Sequence, residues 1–394
     1  MYAHSYIKTA AAIIAGYTDS EPFSAHLRSY FAQHKKHGSR DRKAITRLCY
    51  SYFRTGRAFS SFSLEKRIIL GLFLCSNGPE PILHALAPEL GEQAALPAEE
   101  KIVLVGPSNW WNGIFPEPEQ LSEQIDITAF SLSHLQQPFL YLRIRPGEEK
   151  KVQQLIAEKN IPAVLIPPHT LQLPNGTDTA PLFTINKQVV VQDLSSQQTA
   201  GLFQQFVRPL AESAPHPIQV LDACAASGGK TILLYDVLEG RARFTVNDIR
   251  RTMKHNLEKR LAEAGIRHYH CFSEDMADAQ NRLLQQKQYF DVVVADVPCS
   301  GSGTWIRTPE HLLFFNETQL QQYTALQQKI LLNVQQLVKP GGLLIYITCS
   351  VYACENEQQT AFLQQQYGLT LLHEQYFSGY RHNADTMYGA VLRK

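Results

Sequence analysis

The chain predicts an α/β protein in three parts: an all-helical block (residues 1–95), a linker with a small α/β segment (96–190), and a mainly parallel, doubly wound α/β core (191–394). Three observations predict it. Apolar residues recur at helical spacing through the first block. From about residue 195, strand and helix patterns alternate, and those strands are near-continuously apolar, as strands covered on both faces must be. A chain of 394 residues is also too long for one ordinary domain.

In the first block, helices are expected around Tyr6–Gly16, Ala25–Gln33, Ala44–Thr55 and Leu64–Leu74, with GSRDRK (Gly38–Lys43) as the polar start of the third. The stretch GPEPILHALAPELGEQAALPAEE, rich in Pro and Glu, leads to a boundary. The middle part offers a strand in PFLYLRIRP, an amphipathic helix in EEKKVQQLIAEKN, a second strand in IPAVLIP and further strands in PLFTIN and KQVVVQD. In the core, IQVLDAC, RFTVNDI, HYHCFS, FDVVVADV and LLIYITCS read as strands. TMKHNLEKRLAEAG and TQLQQYTALQQKILLNVQQLVKPG read as helices between them.

With 44% hydrophobic and 19% charged residues, the composition is that of a soluble globular protein. The net charge of +1 hides an asymmetry: residues 1–70 carry twelve Lys/Arg against four acids, and residues 71–130 carry one Lys against nine. A basic block suits a polyanionic partner, although a solvated helical face has the same composition. Seven cysteines without a C-x-x-C pair argue against a disulfide framework and a zinc knuckle, so no metal site is expected and the setting is a reduced, cytoplasmic one. The amino-terminal apolar stretch is too short and interrupted for a membrane span and lacks a cleavage pattern. No dimerisation segment stands out, so a monomer is expected.

Ligands of such sheets bind beyond the carboxyl ends of the strands, and here those ends carry polar or reactive residues. The first strand runs into LDACAASGGKT (residues 221–231). This loop misses a triphosphate-binding fingerprint because Cys224 stands where the first glycine is needed, and it misses the dinucleotide G-x-G-x-x-G as well. Its glycines still allow close backbone approach, and the helix behind them favours an anionic group. The second strand ends at Asp248, about 20 residues on, where a carboxylate can accept from two ribose hydroxyls or cap a helix. Together they suit S-adenosylmethionine, with its amino-acid carboxylate on the loop and its ribose on Asp248. Glu274-Asp275, Asp296-Val297-Pro298-Cys299-Ser300-Gly301 and Thr348-Cys349-Ser350 follow the next three strands.

If the fourth and fifth strands are neighbours, about 5 Å apart, Cys299 and Cys349 face one pocket. Cys49, Cys75, Cys271 and Cys354 read as structural, since a free Cys is commonly an inert buried hydrophobe. A thiol pair has a use in methyl transfer to pyrimidine C5. Thiolate addition at C6 makes C5 nucleophilic, a base then removes the C5 proton, and an acid such as Asp296 stabilises N3. Transfer to an exocyclic amine uses an Asn/Asp-Pro-Pro-aromatic segment instead, and none is present.

At these residues the chain resembles the RsmB/Nop/Sun family of RNA cytosine-C5 methyltransferases. The resemblance is carried by VVVQDLSSQQTA, LDACAASGGKT, DVPCSGSGTWIRTPE and VKPGGLLIYITCSVYACENEQQ, with ADTMYGAVLRK resembling the family's final strand. It implies a Rossmann-like class I methyltransferase core with Cys349 as nucleophile and Cys299 assisting breakdown of the adduct. Cys224, Ala225, Ala226, Ser227, Gly228, Gly229, Lys230, Asp248, Asp275 (or Glu274) and Asp296 would line S-adenosylmethionine. Ser227 replaces the proline usual in that loop, so a modest loss of rigidity is expected. Upstream, KKHGSRDRKAITRLCYSYFRTGR resembles the NusB-like helical domain of bacterial rRNA members, and QPFLYLRIRP resembles the start of their small, RRM-like RNA-binding domain. Arg40, Arg42, Lys43, Arg54, Arg57, Arg143 and Arg307 are then candidate RNA contacts. The implied substrate is RNA, 16S rRNA first, with tRNA as the alternative. A non-catalytic RNA-binding or assembly factor on the same fold is a further alternative, and a P-loop NTPase is disfavoured by Cys224.

Overall fold

A computed structural model describes residues 2–106 and 109–394. The chain forms two compact units. One comprises the chain up to Leu121, Ile125–Gln137 and Trp305–Glu317; the other comprises Ser122–Gln124, Pro138–Thr304 and Thr318–Lys394.

The first unit is helical. Its main helices span Ala3–Ala15, Phe23–Gln33, Ser39–Arg54 and Leu64–Cys75, each within a few residues of the expected span. Their apolar faces meet in a core in which Phe23, Ile45, Leu48, Cys49, Phe53, Ile68 and Phe73 are fully buried. The helical block does not stop at residue 95, because short helices continue to Ile127–Ser133. It also takes in Trp305–Glu317, which was expected in the α/β core. Trp305 stacks on Phe115 with centroids 5.1 Å apart, and Phe314 meets Tyr17 edge-on at 5.3 Å. These apolar side chains find their partners nearly two hundred residues or more away in sequence, beyond the reach of a periodicity argument.

The second unit holds two sheets. The small one consists of β1 (Leu140–Ile144), β2 (Val164–Ile166), β3 (Thr170–Leu173) and β4 (Val189–Val191), all antiparallel in the order β2-β3-β1-β4, with the helix Glu149–Glu158 packed through Val152. PLFTIN forms no strand, and β3 was not foreseen. Instead of standing apart with a boundary at 190, this sheet is joined to the core by buried ion pairs. Asp236, on the helix Gly229–Leu238, accepts from Arg143 Nη1 at 2.6 Å and is paired with Arg145 Nη2.

The large sheet has seven strands: β5 (Ile218–Asp222), β6 (Ala242–Asn247), β7 (Tyr269–Phe272), β8 (Phe290–Asp296), β9 (Val338–Thr348), β10 (Thr370–Ser378) and β11 (Thr386–Arg393). Their order is β10-β11-β9-β8-β5-β6-β7, with β5 to β9 parallel and β11 antiparallel to both neighbours. This is the doubly wound arrangement expected, except that β10 was missed; most of its residues are only half buried and its pattern is correspondingly weak. Helices cover both faces: Leu233, Leu234 and Leu238 pack on one, Ile330, Leu331 and Val334 on the other. The order reverses between β5 and β8, so the carboxyl ends of these strands open the crevice in which such sheets bind ligands.

Candidate active site

The glycine loop connects β5 to the helix Gly229–Leu238. Gly228 takes φ +84°, a conformation that costs glycine nothing and an L side chain strain. Ala226 also has a positive φ, +47°, and is held there because its amide donates to Asp248 Oδ2 at 2.9 Å. A Cβ placed on Gly229 would meet nothing within 4 Å, so the backbone is open at the helix start. Ser227 is pinned by Arg260, whose Nη1 donates to its carbonyl at 3.0 Å and to its hydroxyl. The expected loss of rigidity is therefore offset: where a proline would restrict φ covalently, an arginine holds the serine by hydrogen bonds.

Asp248 sits at the end of β6, nearly buried. Burial alone would raise its carboxyl, but the Arg250 side chain and amide, with the Ala226 amide, hold it below the ordinary carboxylate value. A ribose reaching Asp248 would compete with the Arg250 guanidinium, itself half exposed and therefore displaceable. Asn247 links the neighbouring strand ends, with Nδ2 donating to the carbonyls of Ala223 (3.1 Å) and Glu274 (3.0 Å) and Oδ1 accepting from the Glu274 amide. Asp275 is exposed and closes a turn by accepting from the Ala277 amide, while Glu274 accepts from the Arg282 amide. Cys224 and Ala225 lie against the core, and burial pushes the Cys224 thiol upward, so it is no thiolate.

Lys230 and Asp296 meet across the crevice. Lys230 Nζ lies 3.1 Å from Asp296 Oδ2 and donates to Ser196 Oγ at 2.9 Å. Sequence reasoning placed both residues at the cofactor but did not foresee the pair. Asp222, also missed, is fully buried at the end of β5; burial pushes its carboxyl up to about 7, and Thr231 Oγ1 donates to it at 2.6 Å.

β8 and β9 pair directly, Asp296 opposite Ile347, and their following loops bring Cys299 and Cys349 together with Sγ atoms 3.3 Å apart. All seven cysteines are free thiols. The shared hydrogen bond with Cys349, and then burial, raise the Cys299 thiol well above its ordinary value, so Cys299 keeps its proton at neutral pH. The loop after Cys299 passes close under β11: a Cβ on Gly303 would fall 2.0 Å from the Thr386 carbonyl oxygen, so glycine is required there.

The basic residues divide. Arg40, Arg42 and Lys43 lie exposed at the start of the helix Ser39–Arg54, with Arg42 Nε donating to the His37 carbonyl. Arg57 is exposed and donates to the Phe315 carbonyl and Glu117. Arg307 is half buried in the helical unit. Two expectations need correction. Arg54 is 4% exposed and donates to the carbonyls of His134, Gln136 and Ile306; Arg143 is 6% exposed and bound to Gln192 and Asp236. Both are structural arginines whose donors serve interior groups rather than phosphates. Among the described residues, no cluster of three His, Cys, Asp or Glu could hold a metal, and no helix is long and apolar enough to cross a membrane.

Residues 212–390 match the family model described as 16S rRNA methyltransferase RsmB/F. Over these residues the chain is similar to the RsmB/Nop/Sun family. The ribosomal RNA small subunit methyltransferase B of Xylella fastidiosa (strain 9a5c) is 36% identical over 178 residues, 45% of this chain and 39% of that protein. The probable ribosomal RNA small subunit methyltransferase B of Synechocystis is 28% identical over 283 residues, 70% of this chain and 58% of that protein. Mouse tRNA (cytosine(72)-C(5))-methyltransferase NSUN6 is 29% identical over 153 residues, 36% of this chain and 32% of that protein. The chain thus spans less than two thirds of the length of these relatives. Among solved structures, PH0851 covers 100% of this chain and 99% of its own at a TM-score of 0.71 and 17% identity. NSun6 of Pyrococcus horikoshii covers 71% and 98% at a TM-score of 0.57 and 15% identity. These likenesses show the class I methyltransferase fold, and S-adenosylmethionine is the cofactor of the family.

Proposed function

We propose that the chain is an S-adenosylmethionine-dependent RNA cytosine-C5 methyltransferase acting on ribosomal RNA. One observation carries this reading: two free thiols 3.3 Å apart at the ends of neighbouring parallel strands, beside a glycine loop and a strand-end carboxylate. The cofactor fits the residues present, with open backbone at Gly229 for its carboxylate and Asp248 for its ribose. Bound there, it supplies a methyl group activated by a positive sulfur.

Cys349, as thiolate, adds to C6 of a cytosine displaced from its stack, and the C5–C6 π electrons shift toward C5 and the ring nitrogen. The Lys230–Asp296 pair changes the expected division of labour. Asp296, ion-paired, is an acceptor, and Lys230 brings the donors that can stabilise charge at N3. Once C5 is methylated its proton must leave. Cys299 gives its own proton to the Cys349 sulfur as the C6–S bond breaks and takes the C5 proton in its place. Both thiols are thus restored, and the one proton released per turnover is that lost when Cys349 first ionised. Arg40, Arg42 and Lys43, all exposed, would meet phosphates of a folded RNA, and the helical unit would serve as a NusB-like RNA-binding element.

The test is transfer of tritium from methyl-labelled cofactor into cytosine of separated rRNA and tRNA. Label in rRNA 5-methylcytosine is expected. Label only in tRNA moves the substrate, and no label from a protein that still binds both RNA and cofactor makes it a non-catalytic RNA-binding factor.

A further inference from the structure

Each of the paired cysteines is followed by a serine, Cys299-Ser300 and Cys349-Ser350, and both serines end on a single carboxylate. Glu355 is fully buried. Its Oε1 accepts from the Ser300 amide at 2.9 Å and from Gln327 Nε2 at 3.0 Å, and its Oε2 accepts from the hydroxyls of Ser300 and Ser350. Gln327 also donates to the Pro298 carbonyl at 3.0 Å, so the residue before Cys299 is held by the same side chain that reaches Glu355. Glu355's own carbonyl accepts from the Tyr346 hydroxyl at 2.6 Å, which anchors the carboxylate to β9. A second tie runs alongside, where the Gly303 amide donates to the Cys349 carbonyl at 2.9 Å and the Val351 amide to Ser302 Oγ at 3.0 Å.

We infer that Glu355 is a positioning residue that locks the two cysteine-bearing loops into one piece and so sets the spacing of the two thiols. The loops leave different strands and share no covalent constraint; without a common anchor each would move independently, and reactions of this kind lose rate steeply with misplacement on the scale of 1 Å. Packing alone does not call for a carboxylate here. A buried charge is costly, and burial raises the Glu355 carboxyl, whereas an apolar side chain would fill the space at less cost. What a carboxylate adds is two oxygens that take four donors at once. A glutamine has one such oxygen and turns an NH2 toward donors.

The catalytic meaning of this lock rests on the proposed function, but the spacing is measurable without RNA. A monosubstituted trivalent arsenical, phenylarsine oxide, condenses with two neighbouring thiols to a cyclic dithioarsenite and releases one water, and it binds a single thiol far more weakly. The full chain, its Cys299→Ala and Cys349→Ala controls and Glu355→Gln are titrated with it. Glu355→Gln is expected to bind at least tenfold more weakly than the parent, with an unchanged circular-dichroism spectrum. In the methylation assay it should lose kcat while KM for the cofactor stays within twofold. Parental arsenical affinity in folded Glu355→Gln overturns the inference. If that variant does not fold, the Ser300→Ala/Ser350→Ala double variant, which removes both hydroxyl arms, is read in the same way. A parent chain that chelates arsenic as described but methylates no cytosine removes the proposed function and leaves the lock standing.

Discussion

Cys299 and Cys349, fifty residues apart in sequence, hold their sulfurs 3.3 Å from each other. The register of β8 on β9 brings the loops side by side, and the two thiols then have separable tasks. Cys349→Ala is expected to abolish both methyl transfer and covalent attachment to RNA. Cys299→Ala should still attack C6 and then stall, accumulating an RNA–protein adduct on a denaturing gel. Adduct from Cys349→Ala would exchange the two roles.

Asp222 gives stability a pH dependence of definite sign. Its carboxyl is raised from 3.8 to about 7 in the folded state, chiefly by burial. Well below pH 3.8 the group is protonated in both states and its contribution is fully present. As pH rises, the unfolded chain ionises first, and the contribution is lost up to about pH 7. The difference corresponds to about 4 kcal/mol. Asp222→Asn should therefore lose less stability than the parent between pH 4 and 7, as measured by urea unfolding at each pH.

Arg260 is expected to matter to the cofactor without touching it. It holds Ser227 at carbonyl and hydroxyl, and loss of charge-assisted hydrogen bonds of this kind costs about 1–3 kcal/mol. Arg260→Ala should weaken binding of S-adenosylhomocysteine by roughly tenfold, since about 1.4 kcal/mol is a factor of ten. Ser227→Ala, which keeps the carbonyl bond, should weaken it less. Calorimetric titration decides, and equal affinity in all three proteins would separate loop rigidity from binding.

The basic residues of the helical unit should split by burial. Arg54→Ala strands three carbonyls and is expected to cost about 3 kcal/mol or more in denaturant unfolding. The exposed pair Arg40→Ala/Lys43→Ala should leave the unfolding midpoint unchanged. It should weaken RNA binding, and its salt-dependence slope should fall by about 0.7–0.9 for each phosphate that is no longer neutralised.

Much of this protein was legible before any coordinates. The strands β5 to β9 are legible from the strand pattern, and β11 through the resemblance of ADTMYGAVLRK to the family's final strand. The motifs at the ends of β5 to β9 follow directly because an open parallel sheet presents its carboxyl ends to ligand. The cysteine pair and Asp248 belong to this class, since adjacency in one sheet is enough to predict that they share a crevice. Glu355 does not. The serine after each cysteine was visible, but nothing in spacing says that two loops converge on one acid.

The sequence by itself determined the α/β core, the glycine loop and the two thiols, because periodicity and motif are local and the sheet turns local order into position. Only the tertiary structure decided the rest. It drew Trp305–Glu317 into the helical unit and joined the small sheet to the core through Asp236. It paired Lys230 with Asp296, and it turned Arg54 and Arg143 from phosphate candidates into interior donors. Each of these depends on which distant group is buried beside which. A buried charge must find a partner, and folding rather than composition chooses it.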